Sequence, residues 1–256
     1  LLTSTKILPV NPENPERNIV YEAGRILKGG GIVSFPTETV YALAADAYNQ
    51  ETVAKIYRIK RRDRSKPLSV FLRDADEARR VVDHVSRDAQ KLMDKYWPGP
   101  LTLVFKCNTC KLSVVLGKGN KLGIRVSPTK LIDRLLDACK VPFTATSANI
   151  SGKKSCVAAN RVHYFFNGRI DLILDGGRST VFLPSTVLDV SGERVVLLRA
   201  GHIPIEEIKQ MVPRMVIPQD AHPDDCPQKE KVVSLAEHPS SSLTTEEEDD
   251  ARFNRI

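Results

Sequence analysis

Ile32-Val33-Ser34-Phe35-Pro36-Thr37-Glu38-Thr39-Val40-Tyr41 is the stretch on which the reading of the fold turns. Ile32 to Phe35 is a short, mostly apolar run between Gly29-Gly30-Gly31 and a proline, the pattern of a buried strand. Two threonines around a glutamate follow at once. In open α/β sheets ligands bind outside the carboxyl ends of the strands, so this segment is a candidate site. A plain loop is the competing reading of the same residues.

On the N-terminal side, Lys6 to Val10 reads as a strand. Asn14-Pro15-Glu16 reads as a helix start with Pro15 at the first helical position, and Ile19, Ala23, Ile26 and Leu27 mark its apolar face. On the C-terminal side, Asn49 caps a predicted helix whose face is Val53, Ile56 and Tyr57. That helix ends in Lys60-Arg61-Arg62-Asp63-Arg64-Ser65-Lys66, where five of seven residues are basic. Cations stabilise a helix C-terminus, so a solvated cap is one reading, with Lys60 outside the core. The other reading is a helix-to-strand corner facing a cleft, because Pro67 to Leu72 follows as a strand.

Further helices are predicted over Asp74 to Asp83, Ser86 to Tyr96, Thr129 to Cys139, Val157 to Phe166 and Ile205 to Met211. Further strands are predicted over Leu101 to Lys106, Leu122 to Val126, Leu172 to Leu174, Val187 to Val190 and Val195 to Leu198. Gly117 to Lys121 reads as a hairpin turn. Arg125 sits among apolar strand neighbours, and a buried charge there needs a partner or a ligand. Thr144-Ala145-Thr146-Ser147-Ala148-Asn149-Ile150-Ser151-Gly152 is rich in hydroxyls. Ser147 and Asn149 are two apart, so their side chains share a direction in extended chain and suit an oxygen-rich ligand. An ordinary turn is the alternative.

The chain carries 38 basic and 31 acidic residues, a net of +7 over 256 residues. From Gln219 to Ile256 there are ten acidic and four basic residues, a net of −6, which leaves +13 for the rest. Such a body attracts nucleotides, pyrophosphate or RNA. Residues 1–217 are expected to form the folded domain and 218–256 an acidic, disordered tail. No apolar run approaches the ~20 residues of a membrane helix, and Leu1 to Val10 lacks a secretory pattern. Five cysteines, an odd number, fit a reducing compartment and free thiols better than the isolated Cys107-x-x-Cys110 pair fits zinc. There is no P-loop, no Gly-x-Gly-x-x-Gly, no His-Glu-x-x-His and no Gly-x-Ser-x-Gly. What remains is a set of cations and hydroxyls that can bind and polarise phosphates without a covalent nucleophile.

Six motifs now combine. They are Pro36-Thr37-Glu38-Thr39-Val40-Tyr41; Lys60-x-Arg62; Lys66-Pro67-Leu68; Thr146-Ser147-Ala148-Asn149-x-Ser151-Gly152; Pro184-Ser185-Thr186-Val187; and Arg199-Ala200-Gly201. Their order and spacing over residues 15 to 212 resemble the YrdC-like threonylcarbamoyl-AMP synthase family, in its single-domain form. Asp63 and Lys66 depart from the family, where proline and asparagine are common. The resemblance implies an α/β fold, with a twisted mixed sheet flanked by helices around a basic concave cavity. It implies a nucleotidyltransferase that makes threonylcarbamoyl-AMP and pyrophosphate from L-threonine, bicarbonate and ATP, with Mg²⁺ expected on the triphosphate and no nameable protein ligand for it. The product would serve tRNA modification through a downstream threonylcarbamoyl-transfer complex, with tRNA itself at most a weak partner. The expected compartment is the cytoplasm, with mitochondrion and plastid left open.

The resemblance further implies Lys60 and Arg62 as catalytic groups. With Arg64, Lys121, Ser147, Asn149, Ser155 and Arg199 they would bind ATP. Thr37, Ser69, Arg125, Ala145 and Ser185 would surround threonine, with Arg125 on its carboxylate. A non-enzymatic basic RNA-binding module is the competing hypothesis, weakened by an aromatic content of 6%. Carbamoyl transfer to another acceptor, as in hydrogenase maturation proteins, is a third.

Overall fold

The computed structural model describes residues 4–108, 112–179, 181 and 183–218. In chain order the elements are β1 (Lys6–Pro9), α1 (Arg17–Lys28), β2 (Val33–Phe35), β3 (Ala42–Ala44), α2 (Gln50–Ile59), β4 (Ser69–Phe71), α3 (Ala75–Val81), α4 (Arg87–Tyr96) and β5 (Leu101–Lys106). They continue with β6 (Lys121–Arg125), α5 (Lys130–Cys139), β7 (Phe143–Thr144), β8 (Thr146–Ser147), α6 (Ala159–Phe166), β9 (Leu172–Asp175), β10 (Thr186–Asp189), β11 (Val196–Arg199) and α7 (Ile205–Met211).

The strands form two mixed sheets, ordered β1-β9-β2-β3-β8 and β11-β10-β5-β6-β4-β7. The expected α/β class therefore holds, with the strands shared between two sheets. β1, β9 and β2 pair in parallel, and β3 and β8 add antiparallel. In the second sheet β5 and β6 form an antiparallel centre, while β10 joins β5 and β4 joins β6 in parallel. The hydroxyl-rich segment belongs to both sheets. Phe143–Thr144 pairs with β4 of one, and Thr146–Ser147 pairs with β3 of the other. Ala145 is the crossover residue, and its N–H donates to the Ser69 carbonyl at 2.6 Å.

Local chemistry sets most helix ends. Asn49, Asp74 and Ser86 cap α2, α3 and α4 by accepting from the backbone N–H three residues on. Pro15 lies outside α1, which begins at Arg17 after Glu16, so the expected helical start is two residues too early. α1 and α5 pack closely because Gly24 has no side chain; a Cβ there would meet Ala138 Cβ at 2.7 Å. Beneath them Phe35 of one sheet meets Phe71 and Phe143 of the other, with ring centroids 5.8–6.3 Å apart. Such aromatic contacts contribute about 0.5–1.5 kcal/mol each beyond burial. This trio joins the two sheets from below, as Ala145 does through the backbone.

Cys139 and Cys156 are buried free thiols. Cys107 is disulfide-bonded, which corrects the expectation of a free thiol there, and Cys110 lies outside the described residues. The expectation of an acidic, disordered tail also falls, from Gln219 on, outside the described residues. Among those described, no helix is long and apolar enough to cross a membrane.

Candidate active site

Lys60 closes α2, and the way that helix ends decides where its side chain goes. Arg61 adopts a left-handed backbone (φ 51°), its N–H bonds to the Arg58 carbonyl, and the Arg62 N–H bonds back to Tyr57 O at 2.9 Å. This is a Schellman ending with arginine where glycine is usual. Lys60 therefore stays on the helix face while Arg62 turns away. Val53, Ile56, Tyr57 and Lys60 fall at i, i+3, i+4 and i+7, the spacing of one helical face. All four are buried, and Lys60 is only 1% exposed. The expectation of a helix-end lysine outside the core is thus corrected: the buried stripe carries it inward.

Three carbonyl oxygens receive the Lys60 ammonium. It donates to the Ser147 carbonyl, to Asn149 O at 2.8 Å and to Asn149 Oδ1 at 3.3 Å. Among the described residues no carboxylate pairs with it; burial, with Arg62 second, pushes its pKa down to about 7. The neighbouring Cys156 thiol is pushed up by burial to about 11, so it supplies no counter-charge at neutral pH. The contacted turn is itself tightly made. Ser147 Oγ donates to Asn149 Oδ1 at 2.6 Å, and Asn149 Nδ2 donates to the carbonyls of Lys153 and Ile150 at 2.6 and 3.1 Å. Ser147 and Asn149 thus do share a direction.

Arg62 donates from Nη2 to Pro67 O at 2.9 Å, and burial lowers its pKa. Its Nε is buried without a hydrogen-bond partner among the described residues.

A second polar group runs across the six-stranded sheet. Ser69, Gly123, Arg125 and Thr102 share one sheet face, because Ser69 pairs with Gly123 and Thr102 pairs with Arg125. Gly123 is required here: a Cβ would meet Ser69 Oγ at 2.5 Å. Arg125 is 6% exposed, and its Nη2 donates to Glu38 Oε1 at 2.7 Å and to Thr39 Oγ1 at 2.8 Å. Thr37 Oγ1 lies 2.9 Å from Thr39 Oγ1. The expectation of a partner or a ligand for a buried Arg125 is met by Glu38, and its Nε is still buried without a partner among the described residues. Thr102 Oγ1 lies 2.9 Å from Ser185 Oγ, and Arg199 clamps Ser185 with Nε and Nη2 on its carbonyl at 3.1 and 2.8 Å.

Ten of the thirteen candidates thus fall into three local groups: Lys60 with Ser147, Asn149 and Arg62; Ser69 with Ala145; and Thr37, Arg125, Ser185 and Arg199 through Thr39, Glu38 and Thr102. Arg62 joins the first group through its charge on Lys60 alone, and the remaining three join none of the groups by any described hydrogen bond. Arg64 is exposed and Ser155 is half-buried. Lys121 pairs with Asp189 at 2.6 Å, at the other end of β6 from Arg125, four residues or about 13 Å away along the strand. Burial would raise the Asp189 pKa, but hydrogen bonds from Lys121 and Ser191 hold it below the usual value. Sequence reasoning missed Thr102 as a site residue. Its only signal is a hydroxyl inside an apolar strand directly after Trp97-Pro98-Gly99-Pro100.

Two sheets stitched by one hydroxyl-rich segment, with buried cations beside it, define a mixed α/β protein. The Sua5/YciO/YrdC family model, described as telomere recombination, matches residues 25–201, and the chain belongs to this family. The resemblance carried by the six motifs is borne out. The chain is 34% identical over 208 residues to a threonylcarbamoyl-AMP synthase of Pyrococcus abyssi, covering 81% of this chain and 61% of that one. It is 37% identical over 194 residues to the Bacillus subtilis protein of the same name, covering 75% and 56%. The chain therefore spans less than two thirds of the length of these relatives. The crystal structure of Pyrococcus abyssi Sua5 complexed with L-threonine matches it with a TM-score of 0.78 at 33% identity, over 92% of this chain and 67% of that one.

Proposed function

We propose that this chain is a threonylcarbamoyl-AMP synthase, forming threonylcarbamoyl-adenylate and pyrophosphate from L-threonine, bicarbonate and ATP. Its product would pass to a separate threonylcarbamoyl-transfer complex acting on tRNA. One observation carries the reading. Two guanidinium Nε groups, of Arg62 and Arg125, are buried without an acceptor among the described residues, in a fold shared with a relative solved with L-threonine. A buried donor without an acceptor is costly, and an anionic ligand removes that cost.

In this reading Arg125 receives the amino-acid carboxylate, and Ser69, Ala145, Thr37 and Ser185 surround the rest of the substrate. The threonine amine and bicarbonate give a carbamate with loss of water, and a carbamate oxygen attacks the α-phosphorus of ATP as the bond to pyrophosphate breaks. Such a step needs alignment and charge neutralisation more than a general base. Arg62 supplies charge to the phosphates. Lys60 holds the Ser147–Asn149 turn in shape from beneath and adds its own charge when protonated. Ser147, Asn149, Ser155 and Arg199 remain ATP contacts in this proposal, and Arg64 and Lys121 would have to reach the nucleotide by side-chain movement. Among the described residues no cluster of three or more His, Cys, Asp or Glu could hold a metal ion. Magnesium would accompany the triphosphate of the ATP substrate, and no protein ligand is assigned to it.

The test is pyrophosphate release from ATP with L-threonine and bicarbonate present or withheld. Release that requires both supports the proposal. Release indifferent to the amino acid, or none at all, overturns it.

A further inference from the structure

Glu38 meets Arg125 in an unusual way. A carboxylate facing a guanidinium commonly engages two N–H groups with its two oxygens. Glu38 offers one oxygen only: Oε1 accepts from Arg125 Nη2 at 2.7 Å. Its Oε2 is taken instead by Ser127 Oγ at 2.8 Å and Thr129 Oγ1 at 3.4 Å. Those hydroxyls sit at the start of α5, where a negative charge is favoured by the helix dipole. The Phe71 ring, with its centroid 5.7 Å from Arg125 Cζ, covers one face of the guanidinium. Nε is left buried and without a partner among the described residues.

We propose that Glu38 is a positioning residue for amino-acid binding. Held to a single-oxygen contact by Ser127 and Thr129, it orients and neutralises Arg125 while reserving the Nε edge for the substrate carboxylate. The inference rests on the synthase reading above. Two requirements meet in this arrangement. A guanidinium buried without any counter-charge destabilises the folded chain, so the ligand-free protein needs Glu38. A two-oxygen pair would also take the Nε donor that the substrate uses. The Ser127 and Thr129 hydroxyls resolve the conflict by occupying the second oxygen.

Two variants test this through different mechanisms. Glu38→Gln keeps the shape and removes the charge that holds Arg125; the KM for L-threonine should rise about tenfold or more, with the KM for ATP within about twofold. Ser127→Ala with Thr129→Val leaves Glu38 intact but frees Oε2 to close on Arg125. Thr129 makes no side-chain cap to α5, so its hydroxyl is removed without loss of a cap. The KM for L-threonine should again rise several-fold, while the melting temperature holds or increases, an outcome no merely structural role for these hydroxyls produces. The inference is overturned if the double variant keeps the wild-type KM for L-threonine, or if the KM values for both substrates move in parallel in either variant. Failure of the underlying reading looks different: the wild-type chain itself would then release no threonine-dependent pyrophosphate, and both ideas would fall together.

Discussion

Lys60 and Arg125 are both almost fully buried cations, and the protein accommodates them in opposite ways. Arg125 faces a carboxylate, a hydroxyl and an aromatic ring, and keeps a spare donor. Lys60 faces three neutral oxygens, and all three of its donors are used. The first arrangement is nearly neutral in charge and incomplete in hydrogen bonds. The second is complete in hydrogen bonds and keeps an uncompensated charge. An incomplete set of donors is a place for a ligand to dock; an uncompensated charge is a field for a ligand to feel. The Arg125 region is therefore the better candidate for direct recognition, and Lys60 for shaping a turn and polarising what sits above it.

The largest expected effect breaks the Lys60 side of this contrast. Lys60→Ala should lower turnover about 10²–10³-fold, the usual range for removal of one electrostatic group in a site. It also leaves Asn149 O without its donor and takes one of two donors from Ser147 O and from Asn149 Oδ1, so folding stability should fall by about 1–3 kcal/mol. Lys60→Met keeps most of the length and buries well. If turnover in Lys60→Met is near normal, the charge is irrelevant and Lys60 is packing alone. Pyrophosphate release and thermal melting on the same proteins make the distinction.

Next in size is Arg125→Lys, which preserves charge but not the planar fork. Binding of L-threonine should weaken about 10- to 100-fold, with ATP binding little changed. Calorimetric titration of each substrate checks it. Equal losses for both substrates would erase the proposed division of labour between the two cations.

How much of this contrast was legible in the sequence depends on the range of the interaction. Element identity came from local signals: Asn49, Asp74 and Ser86 announce three helix starts, and the apolar runs announce most strands. β3 and β8 were missed because Ala42–Ala44 is short and small, and Thr146–Ser147 is too polar to read as strand. The split into two sheets is also invisible, since a dipeptide pair around Ala145 decides it. Lys60 reads as a surface lysine although a local signal for burial exists: it occupies the i+7 position of the stripe begun by Val53, and the basic run around it masks that phase. The sequence marks Arg125 as needing a partner, but Glu38 is 87 residues away and only the fold unites them. Thr102 carries only the faint signal of a hydroxyl inside an apolar strand, and nothing in the sequence ties it to Ser185.

A third prediction uses pH to sharpen the comparison. The Lys60 pKa is lowered to about 7 in the folded chain from 10.5, by burial first and Arg62 second. Between those values the unfolded chain holds a proton that the folded chain has released. Stability from this group should therefore rise with pH across the window, by at most about 1.4 kcal/mol per unit, and level off on either side. Comparing the wild type with Lys60→Met by denaturant unfolding at pH 7 and 9 isolates it. A difference between the two proteins that does not change with pH would mean that the three carbonyl oxygens keep the ammonium charged throughout.

The smallest expected effect concerns the link from Arg125 to Arg199. Thr102 is opposite Arg125 on β6, and its hydroxyl meets Ser185 Oγ at 2.9 Å. Ser185 in turn accepts from Arg199 through both its carbonyl and its hydroxyl. Thr102→Val replaces the hydroxyl with a methyl group of similar size. It removes one buried hydrogen bond, which contributes about 0.5–1.5 kcal/mol, and leaves Ser185 still held by Arg199. If Ser185 needs only Arg199, the variant loses a little stability and binds L-threonine normally. If the hydroxyl of Thr102 aims Ser185 at the substrate beside Arg125, affinity for L-threonine falls a few-fold while affinity for ATP stays as it was. The second result is expected, because Thr102 is the one described side chain that touches Ser185 from the strand next to Arg125. Equal, unchanged affinities would confine amino-acid recognition to Arg125 and its own neighbours.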